Sequence, residues 1–455
     1  MIVNRRRFLI GSAAAVAGAA GWRLRGGGFP PPPPAVAHPD ALASGGLRKC
    51  LSMGPVNSPE GDDQDLRAHE NLSDVRASGS HWVKLWLRWD QVQPRPPTEI
   101  EWAQVAEPSN PGYPFLRSFD AQIALARSQD PPLGVVLTLY RFPQWSNGTA
   151  SLVEGTPTER AFEPHDRLTR AQHGAGDPEN RRRPLAFRVP PMAHLQVDGY
   201  WGRWVRFLLE RYERYGDGVV LELLNEPNLQ WWPQHGPSVT GDPFDPGPPE
   251  AARRAARMMD TAQRIAAERA SPTPLAGPAV ADYPESELLR GDTRTFTAYD
   301  SFIVQVLDEL DALRFRASGK LIWTHHNYVD MMLDRGSGGN GRNRAAAVRE
   351  LLAGRWSGWP QDGRRSDLPG LWLTEGGVDL RSGRVRADVA EQARLVGRNL
   401  ERMADRRGDG VGIGMVTNYL NYTELHYDTG LRGALEQGGA RRPVGDVWRV
   451  QRSVY

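Results

Sequence analysis

The stretch Val219-Val220-Leu221-Glu222-Leu223-Leu224-Asn225-Glu226-Pro227-Asn228 is a β-branched and aliphatic run that ends abruptly in Asn-Glu-Pro. Bounded by Gly216-Asp217-Gly218 before and Pro227 after, it has the form of a parallel strand covered on both faces. Pro227 has no N–H with which to continue a ladder, so Glu226 is expected at the strand tip, facing a pocket. A second stretch, Leu371-Trp372-Leu373-Thr374-Glu375-Gly376-Gly377, has the same grammar: an apolar strand, a glutamate, then two glycines that force a turn. A single glutamate at a strand end is usually a solvated loop residue or a helix cap. Two of them, at the tips of two such strands in one chain, form a candidate pair for acid/base and nucleophilic work.

The rest of the chain alternates strand-like and helical runs, the pattern of β and α units around a parallel sheet. Strands are expected over Lys49–Met53, Trp82–Trp89, Leu133–Leu139, Leu275–Ala279, Lys320–Thr324 and Val411–Thr417, in addition to the two glutamate-bearing ones. Helices are expected over Gly199–Tyr215, Pro249–Ala270 and Arg386–Arg406. In the first of these, Trp201, Trp204, Val205, Leu208 and Tyr212 recur at spacings of three and four, the periodicity of a face turned to a core. The segment from Ser146 to about Gln196 is polar and rich in Pro, Gly and Arg, a loop long enough to carry function.

The N-terminus opens with Asn4-Arg5-Arg6-Arg7-Phe8-Leu9-Ile10 and a small-residue apolar segment running to Gly21. It is too short and too rich in Ala and Gly to span a bilayer, and it looks like a twin-arginine export signal ending near Ala35-Val36-Ala37, with a cut nearer Ala20 as the alternative. Residues 1–37 are therefore expected to be removed on export, to the periplasm, cell wall or exterior, with 38–455 forming one catalytic domain and no lasting membrane span. The leader holds five arginines and no acid, so of 56 basic residues 51 remain against 54 acidic ones. A near-neutral chain gives no reason to expect nucleic acid as a partner. Cys50 is the lone cysteine, so no internal disulfide forms, and a small core residue on the first strand is its expected role.

Asn225-Glu226-Pro227 followed by Thr374-Glu375-Gly376-Gly377 resembles clan A of the glycoside hydrolases, especially families 5 and 39. The resemblance implies a (β/α)8 TIM barrel in which the first glutamate ends strand 4 and the second ends strand 7. It also implies retaining cleavage of β-linked oligo- or polysaccharide, with Glu226 as acid/base and Glu375 as nucleophile, and no cofactor. Further positions match residue by residue. Lys84 stands where such enzymes carry a basic residue several positions before a Trp, here Trp89, with Arg88 as a competitor. Trp145, in Pro143-Gln144-Trp145, matches an aromatic that lines the sugar cleft, and the tandem Trp231-Trp232 could supply a further subsite or pack beneath a loop. Asn225 is placed to bond the sugar 2-hydroxyl, and His326 and Tyr328 match a His-x-Tyr pattern whose tyrosine donates to the nucleophile. The departure is at strand 8. Relatives there often place a Trp beneath the cleaved sugar, whereas this chain has Asn418-Tyr419-Leu420-Asn421-Tyr422, leaving Tyr419 or Tyr422 to substitute.

Two rivals stand beside this reading. A catalytically silent glycan-binding barrel would be signalled by loss of either glutamate, and both are present. A metal-dependent hydrolase using His325, His326 and Asp282 would need three or four convergent ligands, for which the spacings are missing, so no metal is expected.

Overall fold

The computed structural model describes residues 47–53, 72–93, 105–107, 109–110, 112–143, 146, 190, 192–229, 232, 234–235, 239–240, 247–282, 297–316, 321–333, 343–356, 370–380, 388–405, 412–422, 428–433 and 439–450. Residues 1–37, read above as an export leader, the interior of the 146–196 loop, Trp145, Trp231 and Lys320 lie outside the described residues.

Eight apolar runs form eight strands: β1 (Arg48–Ser52), β2 (Trp82–Arg88), β3 (Gly134–Tyr140), β4 (Val219–Glu222), β5 (Leu275–Ala276), β6 (Leu321–His326), β7 (Leu371–Glu375) and β8 (Ile413–Asn418). They pair in chain order, all parallel, and β8 returns to β1 to close a barrel. A helix follows each strand: α1 (72–77), α2 (Tyr113–Arg127), α3 (Tyr200–Tyr212), α4 (Glu250–Glu268), α5 (Tyr299–Ala312), α6 (Arg344–Arg355), α7 (Val389–Ala404) and α8 (Pro443–Val450). This is the expected (β/α)8 barrel. No helix among the described residues is long and apolar enough to cross a membrane.

Element boundaries shift where backbone chemistry intervenes. The β5 ladder ends at Ala276 instead of Ala279, since Pro278 has no N–H; contact resumes beyond it through the bridges Asn225 to Ala279 and Val280 to His325. The latter carries β6 two residues past Thr324, to His326.

Side chains of a strand alternate between faces, so each strand divides its residues between the barrel interior and the helices. One residue from each strand, Cys50, Trp82, Val136, Val220, Ala276, Ile322, Trp372 and Met415, fills the lower interior with an apolar plug. Trp82 and Trp372 meet edge to face at 5.2 Å. Gly134 and Gly414 make room for them, because a Cβ there would lie 2.3 Å from the Trp82 ring and 2.6 Å from Trp372 Nε1. Cys50 takes its expected place in this plug, where burial pushes its thiol up to about 12.

The outward residues Val83, Leu85 and Leu87 join the larger core beneath the helices. There Trp201, Trp204, Val205, Leu208 and Tyr212 of α3 are all fully buried, as their spacing requires. Trp89 stacks on Trp204 at 5.2 Å, and Trp232 packs edge-on to Phe142, so Trp232 is a packing residue. Truncating one such ring to alanine costs about 3–5 kcal/mol. Lys49 donates to the Trp448 carbonyl at 2.7 Å and Trp448 Nε1 donates to Ser80 at 2.8 Å, which ties α8 to the start of the barrel.

Candidate active site

Above the apolar plug the interior turns polar. Two residues beyond Trp82, still facing inward, is Lys84; two beyond Val220 is Glu222. Both are fully buried and their charges meet at 2.8 Å. Lys84 Nζ also donates to Glu375 Oε1 at 2.9 Å and lies 4.5 Å from the centre of the Trp86 ring. Glu222 Oε2 accepts in addition from the Thr138 hydroxyl at 2.6 Å. Burial works to strip the proton from Lys84, but Glu222 and then Glu375 outweigh it and the ammonium is held above its ordinary range. Burial of Glu222 is likewise overcome, by Lys84 and then His326, and that carboxyl sits below its ordinary range.

Glu375 ends β7 and is buried, and Tyr328 donates to its second oxygen at 2.9 Å. Glu226 is the more open of the two, its side chain 19% exposed against 5% for Glu375. The ladder of β4 ends at Glu222, so Glu226 lies four residues beyond it and not at the strand tip the sequence predicts, held by hydrogen bonds to the extension of β5 and to the following turn: Glu226 N–H donates to Ala279 at 2.8 Å and its carbonyl accepts from Leu229 at 3.1 Å. The backbone there is in the left-handed region, φ 48°, sparsely populated for a residue with a side chain and held here by those bonds.

His326 stands between the two carboxylates. Nδ1 faces Glu226 Oε1 at 3.0 Å and Nε2 faces Glu375 Oε1 at 3.3 Å. Burial favours the neutral ring, but Glu375 and Glu226 outweigh it and raise the imidazole above its ordinary range. One ligand-capable atom each from Glu226, His326 and Glu375 lies within 4.8 Å of the others, so the three could converge on a cation. Lys84 donates to Glu375 from the other side, and His326 bridges the two carboxylates.

The aromatic wall follows from the same strands. Trp86 of β2 packs on Tyr140 at 5.1 Å and on Tyr419 at 6.2 Å; Tyr419 packs on Tyr328 at 5.9 Å, whose hydroxyl leads back to Glu375. Lys84, Trp86, Tyr419 and Tyr328 thus form an arc around Glu375. Tyr419 is the tyrosine of the strand 8 segment that reaches the site. Tyr422 points elsewhere, donating to Asp74 beneath the Arg432 guanidinium.

Of the residues singled out in the sequence, the structure brings together Glu226, Glu375, Lys84, His326, Tyr328 and Tyr419. Asn225 adjoins Glu226, its backbone bridged to Ala279 and its Oδ1 buried with no partner among the described residues. Arg88, the competitor of Lys84, pairs with Asp90 at 2.8 Å. His325 and His326 point to opposite faces of β6: His325 lies against Tyr299 of α5 at 5.7 Å, fully buried and held well below its ordinary range by burial. Asp282 Oδ2 accepts from the Val329 N–H at 2.7 Å, and among the described residues His325, His326 and Asp282 do not converge as a ligand set.

Glu222, Trp86 and Thr138 were not legible as site residues. The signal for Glu222 is present nonetheless. An acid inside an apolar strand, in step with Val220, needs a buried cation, and Lys84, in step with Trp82 on β2, supplies it.

No family model matches the chain, and no curated protein matches it. Solved structures similar in overall fold include the clostridial cellulose synthase subunit Z from Clostridioides difficile, at 12% identity over 88% of this chain and 99% of that one, TM-score 0.44. An endo-β-1,4-glucanase from Xanthomonas axonopodis pv. citri, in triple-mutant form, aligns at 12% identity over 89% and 98%, TM-score 0.45. A family 39 glycoside hydrolase from the gut symbiont Bacteroides cellulosilyticus WH2 aligns at 13% identity over 91% and 65%, TM-score 0.47. These are likenesses of barrel architecture, and the chemistry rests on the side chains described above.

Proposed function

We propose that the chain is an exported glycoside hydrolase that cleaves β-linked oligo- or polysaccharide with retention of configuration. The observation that carries this reading is the carboxylate pair: an oxygen of Glu226 and one of Glu375 lie within 4.8 Å. Retaining glycosidases hold their carboxyls about 5–5.5 Å apart, whereas inverting ones need about 6.5–9.5 Å to admit a water between acid and base.

The surroundings divide the roles. Glu375 is buried and faced by the Lys84 ammonium, the Tyr328 hydroxyl and His326, so it is the nucleophile. Glu226, more exposed and pinned just beyond β4, has the access to solvent that an acid/base requires. In the first step a Glu375 oxygen bonds to the anomeric carbon as the glycosidic C–O bond breaks, and protonated Glu226 gives its proton to the leaving oxygen. In the second, Glu226 takes a proton from water, the water oxygen bonds to the anomeric carbon and Glu375 is released. Asn225 bonds the sugar 2-hydroxyl, and Tyr419 with Trp86 forms the apolar floor that strand 8 of the resembled families gives to a Trp. Trp145 and Trp231 belong to the proposal as outer sugar contacts.

The test is a panel of plant, fungal and bacterial β-glycans scored for new reducing ends, with Glu375→Gln alongside. Release by the wild type alone supports the glycosidase and names its substrate class. Binding without release by either protein favours the glycan-binding barrel. Export is tested by replacing Arg5 and Arg6 with Lys, which should retain the full-length chain inside the cell.

A further inference from the structure

Lys49 lies on β1 and Lys84 on the adjacent β2, and both are buried, yet they behave differently. Lys49 donates to the Trp448 carbonyl, and burial pulls it down to about 8. Lys84 is fully enclosed and still held above its ordinary range. Two carboxylates face Lys84. Burial by itself favours the neutral amine, while an opposite charge within about 4 Å favours the ammonium.

Lys84 has three N–H bonds and three things to point them at: Glu222 Oε2 at 2.8 Å, Glu375 Oε1 at 2.9 Å and the face of Trp86. Were Glu375 its sole counter-ion, the lysine would neutralise the nucleophile whose charge the chemistry uses. Glu222 takes part of that demand. It has no route to solvent, its Oε1 has no partner among the described residues, and its Oε2 is fixed by the Thr138 hydroxyl. It therefore offers Lys84 a rigid anchor from β4, two strands round the barrel from β2.

We propose that Glu222 is a positioning residue that holds the Lys84 ammonium in place beneath Glu375, sharing its charge so that Glu375 is oriented without being quenched. This rests on the glycosidase reading for its consequence in turnover, but not for the interaction itself. The other titratable groups facing the pair are Cys50 on β1, His326 on β6 and Glu375 on β7, with Glu226 behind His326.

The chain has three lysines, Lys49, Lys84 and Lys320, so lysine-selective NMR of the full chain yields three side-chain signals. Lys84 is assigned by its loss in Lys84→Arg. In Glu222→Gln the Lys84 titration midpoint should fall by about one pH unit or more, while Lys49 stays where it is. Turnover should fall on the order of 10–100-fold in kcat with KM little changed, and the deficit should widen as pH rises and Lys84 sheds its proton. A role in folding alone would lower the folded fraction and leave both the Lys84 midpoint and the shape of the pH profile unmoved. Glu222→Asp, which keeps the charge on a shorter stem, should place midpoint and kcat between the two; if the Gln variant does not fold, the Asp variant carries the test. An unmoved Lys84 signal in a folded Glu222 variant overturns the proposal whether or not a substrate is known. A wild type that turns over no glycan would instead overturn the glycosidase reading and leave the Lys84 result to be judged by itself.

Discussion

Glu226 and Glu375 are chemically the same residue, and their surroundings make them different. One is partly exposed beyond the end of β4, at a left-handed backbone position beside His326; the other is buried among an ammonium, a hydroxyl and the same imidazole. Glu226→Gln should cost about 10²–10⁴-fold in kcat on a natural glycan, and less on a substrate whose leaving group needs no proton, as initial rates on an aryl glycoside would read out. Lys84→Met leaves Glu222 and Glu375 buried without their shared cation, and should destabilise the fold by about 3–5 kcal/mol in urea denaturation. A Met variant as stable as the wild type would mean that one carboxylate takes up a proton at no cost. At this scale much was readable, because catalytic carboxylates at strand tips leave a local signature in Asn-Glu-Pro and Glu-Gly-Gly. Glu222 was not, because its meaning depends on a lysine two strands earlier in the chain and on both residues facing inward.

At the scale of elements, each strand end aims one group at the cleft and hides its neighbour. At the end of β8, Tyr419 packs in the aromatic arc and Tyr422 does not. Tyr419→Ala should therefore lower kcat/KM on oligosaccharides about tenfold, while Tyr422→Ala leaves it unchanged; the reverse would mean that the wrong tyrosine has been placed under the sugar. The ends of β5 and β6 carry a pH-sensitive contact. Asp282 is buried and close to Asp330, which together raise its carboxyl to about 7. The unfolded chain releases that proton near about 4. The contribution to stability is thus fully present below about pH 4 and lost as pH rises through about 7. Asp282→Asn removes the charge and can still accept from Val329. Its melting temperature should gain on the wild type more at pH 8 than at pH 5, and an equal difference at both would contradict this account. Strand positions were legible from β-branched runs; their ends were not, since Pro278 cuts the β5 ladder and the bridge from Val280 to His325 prolongs β6.

For the molecule as a whole, residues 38–455 form a compact unit with its own closed barrel and core. A chain beginning at His38 should unfold in one cooperative transition at the melting temperature of the full-length protein and keep its kcat. A drop of more than a few degrees would give the leader a structural part that the export proposal denies it. The barrel order could be read from the alternation of strand and helix together with the two glutamate motifs. The apolar plug that separates the site from the lower face could not, because Trp82 and Trp372 fit only where Gly134 and Gly414 yield space.

The central claim is that Glu375 forms a covalent bond to the sugar. It is met most directly by incubating the protein with an activated 2-deoxy-2-fluoro glycoside of the sugar released from its glycan, then locating the label by peptide mass spectrometry. The account predicts one glycosyl group per chain, on Glu375, absent from Glu375→Gln and accumulating as activity is lost. A label on another residue, or full inactivation with no covalent adduct, would contradict it.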